Sequence, residues 1–153
     1  MIAELGHLLA FLALATAAAQ SYLGLTTGGE APRRLAVATG MFTALAMLTL
    51  IISFVRLDFS VALVANNSHS LKPIIYRIAG AWGNHEGSML LWCVIMSGYG
   101  AAAALFMQND RLRDRALGVQ GLLTLGSLTY LLFASSPFTR LDNPPLDGGG
   151  MNP

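Results

Sequence analysis

The run Trp82-Gly83-Asn84-His85-Glu86-Gly87-Ser88 gathers an amide, an imidazole and a carboxylate between two glycines, with a hydroxyl just after them. A neutral imidazole at His85 can ligate iron or zinc, donate a hydrogen bond or carry a proton. A metal site needs more ligands than one histidine beside one carboxylate, so spacing alone favours a hydrogen-bonded structural histidine over a cofactor ligand. Ser88 or Glu86 suits the start of a following helix, where it can cap free N–H groups and answer the partial positive end. Gly83 and Gly87 let the backbone turn tightly or approach a partner closely. His69 and His7 stand apart from this run. The lone cysteine, Cys93, lies in an apolar stretch, which excludes an internal disulfide and a cysteine-based zinc site. No metal site is expected. No phosphate-cradling glycine loop, nucleophile elbow or His-Glu-x-x-His occurs, so no catalytic residue is assigned.

The elements that position this run follow from composition. Of 153 residues, 54% are hydrophobic and 11% charged, against about 25% charged in soluble domains. A soluble globular domain and disorder are both disfavoured. Nine Lys and Arg against eight Asp and Glu give a net charge of +1, so nothing points to a nucleic-acid partner. Four apolar runs stand out at about residues 5–25, 35–55, 89–107 and 116–134. At 1.5 Å per residue each can cross a ~30 Å hydrocarbon core as a helix, given some flank. Only a helix satisfies its own backbone in lipid, and no strand-like alternation is seen. The expected fold is all-α, a single integral membrane domain of four transmembrane helices.

Ala17-Ala18-Ala19 before Gln20 resembles a signal-peptidase site, but residues 1–7 hold no Lys or Arg, which a secretory signal needs. A retained first span is therefore expected. Arg33 and Arg34 in the first loop and Arg111, Arg113 and Arg115 in the third place those loops on the cytoplasmic side. The N-terminus, the long second loop and the tail 135–153 then lie outside, with Arg56, Lys72, Arg77 and Arg140 as the opposing charges. Gly40-x-x-x-Ala44 and Gly98-x-x-x-Ala102 are expected to serve helix packing.

In the second loop, Asn66-Asn67-Ser68 reads as a turn. Leu71, Ile74, Ile75, Ile78, Ala79 and Trp82 then fall on one helical stripe, with Pro73 suited to a first turn. The spacing predicts an extracytoplasmic interfacial amphipathic helix over about 71–82, with Trp82 at the headgroup level.

The stretch Asp58-Phe59-Ser60-Val61, Val64-Ala65-Asn66-Asn67-Ser68 and Leu71 through Trp92 resembles the N-terminal region of the CcmF/NrfE family of cytochrome c-type biogenesis proteins. That family carries Trp-Gly-x-His-Glu-Gly-Ser-x-Leu-Leu-Trp, matched here by Trp82, Gly83, His85, Glu86, Gly87, Ser88, Leu90, Leu91 and Trp92. Ser136-Pro137-Phe138-Thr139-Arg140, Asp147-Gly148 and Asn152-Pro153 are similar to the segment that follows. The family continues into a tryptophan-rich WWD loop and a His-Pro-Pro segment, both beyond this sequence. The resemblance covers roughly the first quarter of a full member, so a fragment, a split-gene subunit and a truncated frame are all open.

The resemblance implies haem handling on the outer face of the bacterial inner membrane. Partners would be the remaining part of the lyase, a haem chaperone and apocytochrome c, whose two thiols receive the haem vinyl groups. The family's haem-ligand histidines have no counterpart here, so the chain is expected to scaffold rather than to attach haem alone. His85 is expected to shape the outer vestibule. A second reading makes His85 a haem ligand, together with His69 or a partner's histidine. A small four-span subunit of another membrane transport complex is the alternative, disfavoured by the lack of charges within the spans.

Overall fold

The computed structural model describes residues 1–150; Asn152-Pro153 lies outside the described residues. Six helices follow in order: α1 (Ile2–Thr26), α2 (Glu30–Val55), α3 (Ala62–Asn67), α4 (Ile74–Gly80), α5 (His85–Phe106) and α6 (Asp110–Phe133). The fold is all-α. Four of the six, α1, α2, α5 and α6, are long and apolar enough to cross a membrane. α1 packs on α2 and α6, and α5 on α2 and α6, so the four close into a ring. Short turns join α1 to α2 and α5 to α6 at one end. The Arg56–Asn84 connection and the tail share the other.

The long helices outrun their apolar cores because the flanking polar residues keep helical geometry. Glu30-Ala31-Pro32-Arg33-Arg34 begins α2 with Pro32 in the first turn, where its missing N–H costs nothing. α1 runs unbroken through Ala17-Ala18-Ala19-Gln20, with Ala17 and Gln20 buried.

Lipid offers little hydrophobic drive between helices, so small residues and interhelical hydrogen bonds set the packing. A Cβ on Gly24 would fall 2.7 Å from the Gly118 nitrogen, and one on Gly121 2.9 Å from the Ser21 nitrogen. α1 and α6 therefore touch backbone to backbone. Gln20 Nε2 donates to the Leu117 carbonyl at 2.8 Å and to Gln120 Oε1 at 2.6 Å, and Gln120 Nε2 reaches the Met96 carbonyl on α5 at 3.0 Å. Thr43 and Ser97 hydroxyls join α2 to α5 at 2.6 Å. Of the two expected small-residue pairs, Gly40 does pack, with its Cβ position 3.3 Å from Ala101 Cβ, but Ala44 is exposed. Gly98 meets nothing within 4 Å and faces away from the ring. Gly100, two positions on, takes the packing role against the Gln120 amide.

At the loop end the bundle and its connections share one core. Val61, Val64, Ala81 and Phe138 are buried with Leu50, Phe54, Leu90, Leu128 and Leu131. α2 ends with Leu57 in the left-handed region (φ 55°), where Leu57 N–H and Asp58 N–H donate to the Phe54 and Ser53 carbonyls. That pattern satisfies the last carbonyls of the helix and reverses the chain. α3 was not legible as a helix, since Asn66-Asn67-Ser68 reads as a turn. The structure places both asparagines in its last turn and Ser68 in extended backbone just past it, with the turn following at Ser70 and Leu71. α4 is shorter than the expected 71–82, because Pro73 is its N-cap, with extended backbone (ψ 149°), rather than its first turn. Leu71, Ile74, Ile75 and Tyr76 are exposed, while Gly80 sits against the Phe54 ring.

Candidate functional site

The Trp82–Ser88 run joins α4 to α5, and Asn84 is its fulcrum. Asn84 Oδ1 accepts the Gly87 N–H at 2.7 Å, capping α5, while its Nδ2 donates to the Gly80 carbonyl at 2.7 Å. One side chain thus closes the end of α4 and opens α5. The cap expected of Ser88 or Glu86 belongs to Asn84, because Asn84 has the extended backbone (φ −133°, ψ 172°) that an N-cap requires. Ser88 Oγ instead donates back to the His85 carbonyl at 2.9 Å. Glu86 lies in the first turn of α5, where a carboxylate complements the helix dipole. A Cβ on Gly87 would collide with the Ala81 carbonyl oxygen, so this glycine is needed for the close approach of the two segments.

The three histidines go to three places. His85 is exposed and stands edge-on to Tyr130 of α6 at a ring separation of 6.4 Å. Its ring makes no hydrogen bond among the described residues, so it is not the internally bonded histidine that spacing favoured. His69 accepts the Leu71 N–H at Nδ1 (3.1 Å), which fixes the proton of the neutral ring on Nε2, 3.5 Å from Asp147. His7 stacks near Phe138 at 6.3 Å. Among the described residues no three His, Cys, Asp or Glu side chains converge to hold a metal.

Two clefts flank the run. The larger, about 480 Å³, is lined by Asn66, Asn67, Lys72, Gly80, Gly83 and Gly149. Lys72 Nζ bonds the Asn67 carbonyl across it at 3.0 Å. The second, about 300 Å³, lies between α3 and the tail and is lined by Glu86, Asn66, Ser135, Ser136 and Thr139. Asn66 borders both. Trp82 is 38% exposed beside them.

The tail forms one wall. Thr139 and Leu141 exchange backbone bonds with Ala62 and Ser60, both at 2.9 Å. Arg140 pairs with Glu4 at 2.6 Å and also reaches Ser60 and Asp58. Asp147 accepts from Ser70 N–H at 3.0 Å and Ser70 Oγ at 2.5 Å. Those bonds from Ser70, above all its hydroxyl, hold the Asp147 carboxyl below the usual aspartate range, with His69 nearby acting in the same direction. Gly148 leaves no room for a side chain against the Ser68 carbonyl. Asn84 and the Ser70–Asp147 clamp are the residues that sequence reasoning passed over. The Asn before His-Glu is a cap signal in retrospect, whereas a bond spanning 77 positions leaves no local trace.

No protein-family model matches the chain. The cytochrome c-type biogenesis protein ccl1 of Rhodobacter capsulatus is 44% identical over 162 aligned positions, covering 100% of this chain and 25% of that protein. The CcmF proteins of Pseudomonas aeruginosa and Escherichia coli K12 are 42% and 39% identical, again across the full chain and 25% of each relative. A solved structure titled cytochrome c heme lyase CcmF superposes with a TM-score of 0.84 at 26% identity, over 94% of this chain and 26% of that one. The chain is homologous to the N-terminal quarter of the CcmF/NrfE family. It is accordingly a multi-pass membrane protein, and it spans about a quarter of the length of the curated CcmF relatives it matches.

Haem, which the likeness to a solved cytochrome c heme lyase raises, can be tested against these residues. The histidines diverge, and both clefts are lined largely by amide, hydroxyl and backbone groups rather than by an apolar slot facing an axial imidazole. The described residues do not by themselves enclose a haem.

Proposed function

We propose that this chain supplies the N-terminal membrane scaffold of a cytochrome c haem lyase in the bacterial inner membrane. In this reading residues 5–25, 35–55, 89–107 and 116–134 cross the hydrocarbon core. Both termini and the Arg56–Asn84 connection lie outside, and residues 71–82 follow the outer interface, with the exposed Leu71, Ile74 and Ile75 toward lipid. The scaffold holds Trp82–Ser88 toward the remaining part of the lyase, where haem from a haem chaperone meets apocytochrome c. His85 contributes an imidazole with free nitrogens to that surface and does not ligate iron on its own.

The observation that supports this reading most is similarity to CcmF proteins across the whole of this chain, combined with the anchoring of the run by Asn84 and Gly87. The test is a chimera in which this chain replaces the matching quarter of Escherichia coli CcmF, in cells lacking their own copy. Covalent haem staining of a reporter cytochrome c is expected for the chimera and for neither part alone. Staining by this chain alone, or by the remainder without it, would refute the scaffold role. A cysteine placed at Asn84 should react with an impermeant maleimide from outside; labelling only after lysis would reverse the orientation. In the chimera, loss of haem absorbance on His85→Ala would assign a ligand role to His85 instead.

A further inference from the structure

We propose that the furrow between the start of α2 and the end of α5 binds an acidic phospholipid, its phosphate on Arg33 and Arg34 and one acyl chain laid between the helices. The furrow lies at the short-turn end, remote from the Trp82–Ser88 run. It opens as a cleft of about 410 Å³ lined by Glu30, Arg33, Arg34, Val37 and Leu105. The rim is basic and the wall apolar, which is the order of chemistry along a phospholipid from headgroup to chain.

The two arginines are available for an anion. Arg33 makes an exposed contact with Glu30 at 3.2 Å, worth little in water, and Arg34 is exposed with no ion pair among the described residues. A guanidinium fork matches phosphate oxygens in two parallel bonds. The field at this end is further raised by Arg111 and Arg115, whereas Arg113 is buried and spent on Asp110 at 2.8 Å and Asp114 at 3.4 Å.

Beyond the rim the furrow continues into the bundle's flank. From Leu105 along α5, Ala101, Ala102 and Gly98 return to the same face at helical spacing; on α2, Val37, Met41 and Ala44 do the same. Gly40 and Ala101 face each other closely enough that a Cβ on Gly40 would stand 3.3 Å from Ala101 Cβ, and they form the floor. Above that floor Gly98 meets nothing within 4 Å, and Met41 and Ala44 are exposed. A chain-bearing anion satisfies both the rim and the furrow. Free phosphate would use the rim alone, and an apolar helix would bring no anion to Arg34.

The purified 153-residue chain in neutral detergent can be titrated with phosphatidylglycerol and phosphatidylcholine of identical chains and read by native mass spectrometry. One phosphatidylglycerol should be retained over phosphatidylcholine, with roughly fivefold preference per engaged arginine. Arg33→Gln with Arg34→Gln should abolish the preference, and Arg111→Gln with Arg115→Gln should leave most of it. Gly98→Leu adds a side chain into open space, so the fold is kept, as far-ultraviolet dichroism will report, while retention of phosphatidylglycerol falls. Glycerol phosphate should show no retention. Equal retention of the two lipids, a preference that survives loss of Arg33 and Arg34, unchanged retention in Gly98→Leu, or retention of glycerol phosphate would each overturn the proposal.

Discussion

Gly87 lies directly against the Ala81 carbonyl, leaving no space for a methyl group between the end of the α4 turn and the first turn of α5. Ala81 is itself fully buried in the core shared by bundle and loops. Gly87→Ala must therefore push two backbones apart, and overpacking of this kind costs about 1–3 kcal/mol. Gly98→Ala, on the same helix but in open space, should be neutral or slightly stabilising, since alanine is the better helix former by about 1 kcal/mol. Thermal unfolding of both variants in detergent separates them. Equal melting temperatures would show that Gly87 is not held by Ala81.

Asn84 makes two bonds of 2.7 Å with opposite ends of its amide, one to each flanking helix. Removing an N-cap typically costs about 1 kcal/mol. Asn84→Ala should lose at least that much, because the Gly80 carbonyl loses its donor as well. Asn84→Asp keeps the acceptor toward Gly87 and gives up the donor toward Gly80, so it should fall between wild type and alanine. Urea or heat midpoints ranked in that order support the double role. If aspartate matches wild type, the bond to Gly80 contributes nothing.

The long helices were legible because lipid imposes a simple demand: unbroken apolar length. Their ends were less so, since Glu30–Arg34 and Asp110–Arg115 are polar yet helical. The Trp82–Ser88 run was legible as a junction, and its glycine at 87 as a point of close approach. Which of Asn84, Glu86 and Ser88 caps α5 is not legible locally, because it depends on which residue carries non-helical backbone. α3 hid behind Asn66-Asn67-Ser68, a turn signal that in fact closes a helix. Least legible was the tail. Its docking depends on Arg140 meeting Glu4 and on Asp147 meeting Ser70, pairs brought together only by the ring of helices.

Inside the bundle, Thr43 and Ser97 share a hydrogen bond of 2.6 Å between buried hydroxyls, and both also bond carbonyls of their own helices. Such pairs in membrane proteins couple by about 0.6 kcal/mol on average. A double-mutant cycle with Thr43→Val and Ser97→Ala should return a coupling of that size, well below the loss from Gly87→Ala. A coupling near zero would mean that the intrahelical bonds alone satisfy both hydroxyls.

The tail should come loose in acid. Asp147 is held below the usual aspartate range mainly by the Ser70 hydroxyl, with desolvation opposing and Ser70 N–H, Gly148 N–H and His69 adding to the shift. A carboxylate whose folded value is depressed lends stability above its unfolded value, near 3.9. That contribution is lost as pH falls through the lower, folded value. The amides of Gly149 and Gly150, which donate to the Ala65 and Ser68 carbonyls at 2.8 and 3.2 Å, report docking directly. Their nuclear magnetic resonance shifts should stay at docked positions from neutral pH down past the ordinary aspartate value, then move together below it. Asp147→Asn should flatten that transition while leaving the helices of the bundle unchanged. A midpoint at or above the ordinary value, or a transition that persists in Asp147→Asn, would show that another group controls the docking.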